Sequence, residues 1–296
     1  MSQIAPVKHD VVEVEKGEVE NNLIDLHDPN LYQLRAIINA IPGGIDALTE
    51  QHIAIYKEFG FLAVNDVFTP IEVDAGLAGM VHLIMGGNPE FKGVQFEAAV
   101  KSKLHTLSAT ERQDAVRKLM WFVKFDPRLN AMAYHPKLIG FLTKLLGSEP
   151  TMFQDMGLMK PPRIGREKPW HQDKAYFNID PREKVVGCWV ALDEATVENG
   201  CMHLLPEIPL KPIVHFKRRD WQICDTEILG KQCVAAPLKP GGVLFFDGLL
   251  VHGTPHNNSI HRRRAVQFHY HGNKYPRTSN EERLALFGSE GKDVQC

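Results

Sequence analysis

The stretch Pro169-Trp170-His171-Gln172-Asp173-Lys174-Ala175-Tyr176-Phe177 decides how the chain is read. Its aromatic content favours a β-strand, and alternate side chains of a strand point to one face. His171 and Asp173 are therefore placed to grip one ion together, with Gln172 turned elsewhere. A turn, Lys239-Pro240-Gly241-Gly242, leads into the apolar run Val243-Leu244-Phe245-Phe246 and then into Leu249-Leu250-Val251-His252-Gly253-Thr254. A Pro-Gly-Gly turn ahead of β-branched and aromatic residues reads as the opening of a buried strand, with His252 at its far end. Two imidazoles and a carboxylate fill one face of an octahedron and leave three positions open. That suits Fe(II), which must also bind an oxo-acid and dioxygen. The ligand types alone leave zinc, with three protein ligands and a water, as an alternative.

Arg263 narrows the choice. It lies eleven residues past His252, in the alternating run His261-Arg262-Arg263-Arg264-Ala265-Val266-Gln267-Phe268-His269-Tyr270, which is read as the next strand. A guanidinium on a strand antiparallel to that of His252 can reach back into a barrel and hold a carboxylate by two parallel hydrogen bonds, as a dicarboxylate co-substrate requires. Thr254, two residues after His252, can add a hydroxyl to the same carboxylate. A lone histidine on an apolar strand is more often a hydrogen-bonded core residue than a ligand, so the three ligands and the arginine are weighed together. The other histidines, His269 and His271 among them, are read as structural, and Asp247 as a turn residue.

Composition sets broad bounds. The chain has 296 residues, 44% hydrophobic and 24% charged, with a formal net charge of −2. It can bury a sizeable core, and its length fits one large β domain with helical additions or two small domains. No global basic excess points to nucleic acid, and the clusters Lys217-Arg218-Arg219 and Arg262-Arg263-Arg264 read as solvated faces apart from Arg263. Five cysteines without a Cys-x-x-Cys pair read as free thiols of a reducing compartment. With no apolar signal region and no run near the roughly eighteen apolar residues of a membrane span, a cytoplasmic enzyme is expected.

Along the chain, residues 1–45 are expected to form an N-terminal arm, loosely held to about residue 30, and residues 46–149 a mostly helical support. Helices are predicted over 49–60, from Thr69-Pro70 to about Met85, from Ala109 to about Trp121, and over 135–147, with a strand at 61–64. From residue 150 to 275 the texture changes to short runs, 151–160, 170–177, 185–192, 234–237, 243–246 and 263–271, separated by Pro, Gly and Asn. That spacing is expected of an antiparallel jelly roll. A C-terminal tail, 276–296, completes a single expected domain.

The segments Met156-Gly157-Leu158-Met159-Lys160-Pro161-Pro162, Pro169-Trp170-His171-Gln172-Asp173 and Trp189 through Met202, followed by His252 and Arg263, resemble the phytanoyl-CoA dioxygenase family of Fe(II)/2-oxoglutarate oxygenases. The resemblance covers most of the chain and extends to the N-terminal helix and the Gly60-Phe61-Leu62 strand. It implies a mainly β fold with flanking helices: a double-stranded β-helix (a cupin-like jelly roll) with a helical N-terminal half. It implies iron on His171, Asp173 and His252, 2-oxoglutarate on Arg263, and Met156, Trp189 and Lys118 at the co-substrate pocket, with Lys124 as an alternative to Lys118. The implied reaction hydroxylates an aliphatic C–H bond while 2-oxoglutarate and O2 become succinate and CO2. Asp173 stands where a halogenating relative would carry a small residue. The chain departs from the family after the Asn199-Gly200-Cys201 turn, where Leu205-Pro206-Glu207-Ile208-Pro209 replaces Pro-Gly-Ser-His, so the wall formed by that loop is expected to differ. The substrate is a small molecule, an acyl-CoA or a secondary metabolite. For an acyl-CoA, Lys217-Arg218-Arg219 or Arg163, Arg166 and Lys168 could meet the phosphates. Two other readings stay open: a cupin-type metal hydrolase or isomerase, which needs no Arg263, and a non-catalytic jelly-roll binding module, in which a lost ligand would be expected.

Overall fold

Cap chemistry sets the first helices. In the computed structural model, which describes residues 27–180, 182–272 and 277–288, a 3-10 turn over Pro29–Tyr32 leads into β1 (Leu34–Ile37). Thr49 and His52 cap each other's backbone N–H at the start of α1 (Glu50–Phe59), which stops at Gly60 in the left-handed region (φ 76°). After β2 (Phe61–Val64), Thr69 and Glu72 form a second reciprocal cap at the start of α2 (Pro70–Ile84), with Pro70 in its first turn. Strand β3 (Val94–Phe96) follows.

The helix expected from Ala109 to about Trp121 is shorter. Helix α3 (Ala109–Asp114) is capped by Ser108 and gives way to β4 (Val116–Met120). Tertiary pairing overrides local propensity here. Strand β4 is hydrogen-bonded between β3 and β5 (Thr151–Lys160), and Val116 and Leu119 are fully buried. A bulge opposite Gln95 and Phe96 lets those two apolar residues share a face, although they are three apart. Helices α4 (Pro127–Ala133) and α5 (Pro136–Leu146) complete this region, each opening on a proline.

The remaining elements are β6 (Lys168–His171), β7 (Val185–Ala191), β8 (Met202–Leu204), β9 (His215–Lys217), β10 (Trp221–Ile223), α6 (Asp225–Ile228), β11 (Cys233–Ala236), β12 (Val243–Asp247), β13 (His252–Thr254), β14 (Arg263–His271) and α7 (Asn280–Phe287). They build a seven-stranded sheet in the order β2-β12-β7-β14-β5-β4-β3 and a five-stranded sheet in the order β1-β11-β8-β13-β6, with β9 and β10 as a separate pair. This is the mainly β jelly roll expected. The first 149 residues are more than helical support, because β1 to β4 all join the two sheets. Residues 27–45 of the expected arm are likewise built in: Leu31 is buried, β1 runs parallel to β11, and the Trp170 indole N–H donates to the Leu31 carbonyl at 2.9 Å. Residues 1–26 of that arm, and Cys296, lie outside the described residues.

Alternation on the central strands sorts side chains between two cores. Val186, Cys188 and Val190 of β7, Val243 and Phe245 of β12, and Val266, Phe268 and Tyr270 of β14 pack with the helices. Trp189, Ala191, Leu244, Phe246 and Ala265 face the five-stranded sheet. Both faces are buried, which is why these strands read as continuous apolar runs. Each fully buried Phe, Leu or Val contributes about 1.5–3 kcal/mol. Cys188, Cys201, Cys224 and Cys233 are buried, and Cys188, Cys201 and Cys233 are free thiols, as the absence of Cys-x-x-Cys pairs predicts. Among the described residues no helix is long and apolar enough to cross a membrane.

Candidate active site

His171 is the last residue of β6 and stands opposite His252, the first of β13, with ring centroids 4.2 Å apart. The strand expected over 170–177 ends here. Gln172 is still extended (φ −117°, ψ 130°), but Asp173 begins a 3-10 turn, Asp173–Tyr176, fixed by the Lys174 N–H donating to the Gly248 carbonyl at 2.9 Å. The extended Gln172 is enough to bring Asp173 to the side of His171. Its own amide points away, donating to the carbonyls of Lys211 and Leu249 at 2.8 and 2.6 Å. His252 is not at the end of the Val243 strand either. Strand β12 stops at Asp247, whose carboxylate accepts the Leu249 N–H at 2.8 Å, and the chain crosses to the other sheet before His252. Asp247 is thus the expected turn residue.

The three side chains are buried, and their ligand atoms lie within 4.8 Å of one another. Each imidazole donates Nδ1–H to a backbone carbonyl, His171 to Pro169 at 2.7 Å and His252 to Leu250 at 2.9 Å. This leaves both Nε2 lone pairs directed inward. Asp173 Oδ1 is 3.3 Å from Nε2 of His171 and 3.7 Å from Nε2 of His252. Burial, then the neighbouring His252 and Lys168, pushes the His171 pKa down to about 3, and burial lowers that of His252. Burial alone would raise Asp173, but His252 and His269 hold it well below the usual carboxylate range. Two neutral imidazoles and an anionic oxygen therefore converge without a proton between them. Such a donor set repels itself unless a cation is present, and it fits a divalent ion such as Fe(II).

The same three residues line a cavity of about 200 Å³ whose opposite wall comes from the seven-stranded sheet and includes Met156, Trp189 and Arg263. Arg263 is 2% exposed. Its Nη1 donates to the Leu158 carbonyl at 3.2 Å, and its guanidinium lies 5.2 Å from the Trp189 ring centroid. Its Nε and the Trp189 indole N–H have no hydrogen-bond partner. Burial pushes its pKa down to about 10, so it is charged at neutral pH. A buried cation with unspent donors and no acid partner among the described residues fits a carboxylate ligand. The expected strand relation is corrected: β14 neighbours β5 and β7, so Arg263 faces His252 across the interior and not as its antiparallel neighbour.

The family model for phytanoyl-CoA dioxygenase (PhyH) matches residues 56–265. The chain belongs to the phytanoyl-CoA dioxygenase family. It is thereby an Fe(II)- and 2-oxoglutarate-dependent dioxygenase. A phytanoyl-CoA dioxygenase domain-containing protein 1 from Danio rerio is 25% identical over 263 residues, covering 76% of this chain and 90% of its own length. An ectoine dioxygenase from Bordetella bronchiseptica is 25% identical over 261 residues, covering 81% and 80%. In fold, the chain is similar to the crystal structure of EctD from S. alaskensis with bound Fe, with a TM-score of 0.62, 20% identity and 90% of each chain covered.

Within this phytanoyl-CoA dioxygenase fold the other named residues can be placed. Thr254 and Lys118 line the cavity, and burial followed by the charge of Lys168 pushes the Lys118 pKa down to about 8. Lys124 does not line it; its ammonium lies 4.9 Å from the Phe125 ring centroid. The departing loop after Cys201 is not part of the wall. Leu205 is buried against Leu31 and Trp170, and Glu207 pairs with Arg35.

Two residues were missed. Asp173 Oδ2 accepts hydrogen bonds from His269 Nε2 at 2.7 Å and Gln267 Nε2 at 3.0 Å, so His269 does more than fill the core. The signal was available: Arg263, Gln267 and His269 share strand parity, so an inward Arg263 implies the other two. Lys160 is another buried cation; its ammonium donates to the carbonyls of Arg166, Thr254 and Pro255, tying the end of β5 to the end of β13.

Proposed function

We propose that the chain hydroxylates an aliphatic C–H bond of a small-molecule substrate, with iron on His171, Asp173 and His252 and the distal carboxylate of 2-oxoglutarate on Arg263 and Thr254. The observation that carries the reading is a self-repelling His-Asp-His donor set and an acid-free buried arginine lining one cavity. Iron with 2-oxoglutarate and O2 supplies the oxidising power, yielding succinate and CO2 beside the hydroxylated product. The chain supplies placement. Gln267 and His269 occupy Oδ2 of Asp173 and leave Oδ1 for the ion. Lys118 serves the second carboxylate, and Met156 and Trp189 form an apolar wall that excludes water.

A hydrolytic or isomerising metal site would have no use for Arg263, and a binding module would have no need of a complete ligand set. An acyl-CoA substrate would place its phosphates on the groove formed by Lys217, Arg219 and Arg283, which adjoins the cavity at Tyr176. The cytoplasmic location belongs to the same proposal.

The test is an anaerobic titration with Fe(II) and then 2-oxoglutarate, followed by the visible charge-transfer band. The band is expected in the wild type and absent in Asp173→Ala. A folded wild-type protein that shows no band at saturating iron and 2-oxoglutarate overturns the proposal.

A further inference from the structure

Once metal and co-substrate are in place, one wall of the cavity keeps more positive charge than the acids among the described residues match. On the reading above, Asp173 is committed to the ion, and Arg263 and Lys118 to the two carboxylates of 2-oxoglutarate. Elsewhere on the wall, Arg166 pairs with Glu97 at 2.5 Å, Glu167 pairs with Arg219 at 2.8 Å, and Lys160 gives its protons to backbone carbonyls. Lys168 and Arg117 remain. Both line the cavity and share one acid, Asp220, at 2.7 and 3.7 Å. Asp220 stands behind them, on the neighbouring groove that Tyr176 separates from the cavity.

Lys168 is aimed inward. It lies three residues before His171 on β6, and its ammonium donates to the Tyr176 hydroxyl at 2.9 Å and sits 4.8 Å from the centroid of that ring. Its charge is felt at His171, His252 and Lys118. Asp220 and Tyr176 take two of its three protons. Tyr176 is itself fixed, because its hydroxyl donates to the Trp221 carbonyl. A filled cavity would strip water from this wall. A neutral substrate would leave the excess charge unpaired, and a cationic one would add to it.

We propose that Lys168 and Arg117, with Tyr176 as their support, form the subsite for an oxyanion group of the prime substrate, a carboxylate or a phosphonate-type group. This rests on the oxygenase reading, which assigns Lys118 and Arg263 elsewhere. The planar guanidinium and the point-charge ammonium together suit a small, multiply accepting anion. Asp220 keeps both cations in place while the subsite is empty and competes with the anion when it fills.

The test is calorimetric titration of the full chain with hexylphosphonate, hexanoate, hexanol and hexylamine, with and without Fe(II) and 2-oxoglutarate under anaerobic conditions. The two anions are expected to bind, and the alcohol and amine not to. Lys168→Gln and Arg117→Gln should each weaken the phosphonate about tenfold, the worth of one charge-assisted hydrogen bond. Asp220→Asn, which removes the competitor at constant shape, should tighten it several-fold, an effect that damage to folding cannot imitate. The charge-transfer band is followed in parallel. Its loss in the wild type sinks the oxygenase reading, while the metal-free titrations still decide the subsite. Equal binding of the alcohol, or phosphonate binding indifferent to all three substitutions, overturns the proposal. Hexanoyl-CoA separates the sources of the anion: loss of its binding in Lys168→Gln supports the subsite. If only the thioester binds, and Lys168→Gln does not change it, the anion is read elsewhere and the proposal fails.

Discussion

Replacing Arg263 by methionine should stabilise the metal-free protein while removing its response to 2-oxoglutarate. The side chain is 2% exposed, donates to the Leu158 carbonyl, and has an Nε without a partner. Burial lowers its pKa from the ordinary guanidinium range to about 10. At about 1.4 kcal/mol per unit, holding the charge in the empty cavity costs roughly 3 kcal/mol. Methionine keeps most of the volume and forfeits the stacking on Trp189, worth about 0.5–2 kcal/mol, so a net gain of about 1–3 kcal/mol is expected. The sign with pH follows from linkage. A base with a depressed folded pKa carries its full penalty below that value and is relieved as pH rises through it towards the unfolded value. The gap between variant and wild type should thus be constant across neutral pH and narrow only from about pH 10 upwards. Urea denaturation with and without Fe(II) and 2-oxoglutarate is the assay. At about a hundred times its Kd, the ligand should add about 2.7 kcal/mol to the wild type and nothing to the variant, cancelling or reversing the order of stability. A metal-free variant less stable than the wild type, with 2-oxoglutarate still stabilising it, would refute the view of Arg263 as a cation held for a carboxylate.

Three further outcomes are expected. His269→Phe or Gln267→Leu releases Oδ2 of Asp173 and should weaken Fe(II) or Mn(II) binding about 10–100-fold by calorimetry, with the fold retained in far-UV circular dichroism. Lys118→Met should weaken 2-oxoglutarate binding about tenfold at neutral pH; wild-type affinity should fall as pH rises through about 8, where the ammonium loses its proton, and the variant should be flat there. Phe268→Ala, at a fully buried position on the helix side of β14, should lower stability by about 3–5 kcal/mol in denaturant without changing the metal Kd.

The parts of the fold legible in the sequence are those whose local chemistry and tertiary role agree. Thr49 with Gly60 and Thr69 with Pro70 mark real helix ends, and the runs 151–160 and 263–271 coincide with β5 and β14. Reading failed where a neighbour decides. Ala115 to Trp121 has no strand signature of its own, and β4 exists because β3 and β5 flank it. The Trp170–Phe177 run is aromatic enough for a strand, yet only His171 has a partner in β13, so the strand stops and Asp173 turns. His171, Asp173 and His252 converge despite this error, because their convergence needs one extended residue, Gln172, and not a whole strand. Likewise Arg263, singled out by its distance from His252, does line the same cavity, although the strand pairing assumed for it does not occur.

The division of the site between the two sheets explains why β14 matters beyond Arg263. The two histidines belong to β6 and β13 of the five-stranded sheet, and Asp173 follows directly on β6. Lys118, Met156, Trp189 and Arg263 belong to the seven-stranded sheet. On the proposed assignment, metal and co-substrate would be presented from opposite walls, and a shift of one sheet would separate them by the same amount. Positioning a reacting group to within a fraction of an ångström is worth orders of magnitude in rate. Gln267 and His269 resist such a shift: from the Arg263 strand they hold Asp173, which follows the strand of His171. Strand alternation gives this strand an inward row, Arg263, Ala265, Gln267 and His269, and an apolar row, Val266, Phe268 and Tyr270, packed on the helices. One strand therefore fixes Arg263, the orientation of the Asp173 carboxylate and the attachment of the helical layer. The weakening expected in His269→Phe should accordingly appear in 2-oxoglutarate affinity as well as in metal affinity, whereas a purely local role for His269 would move the metal alone.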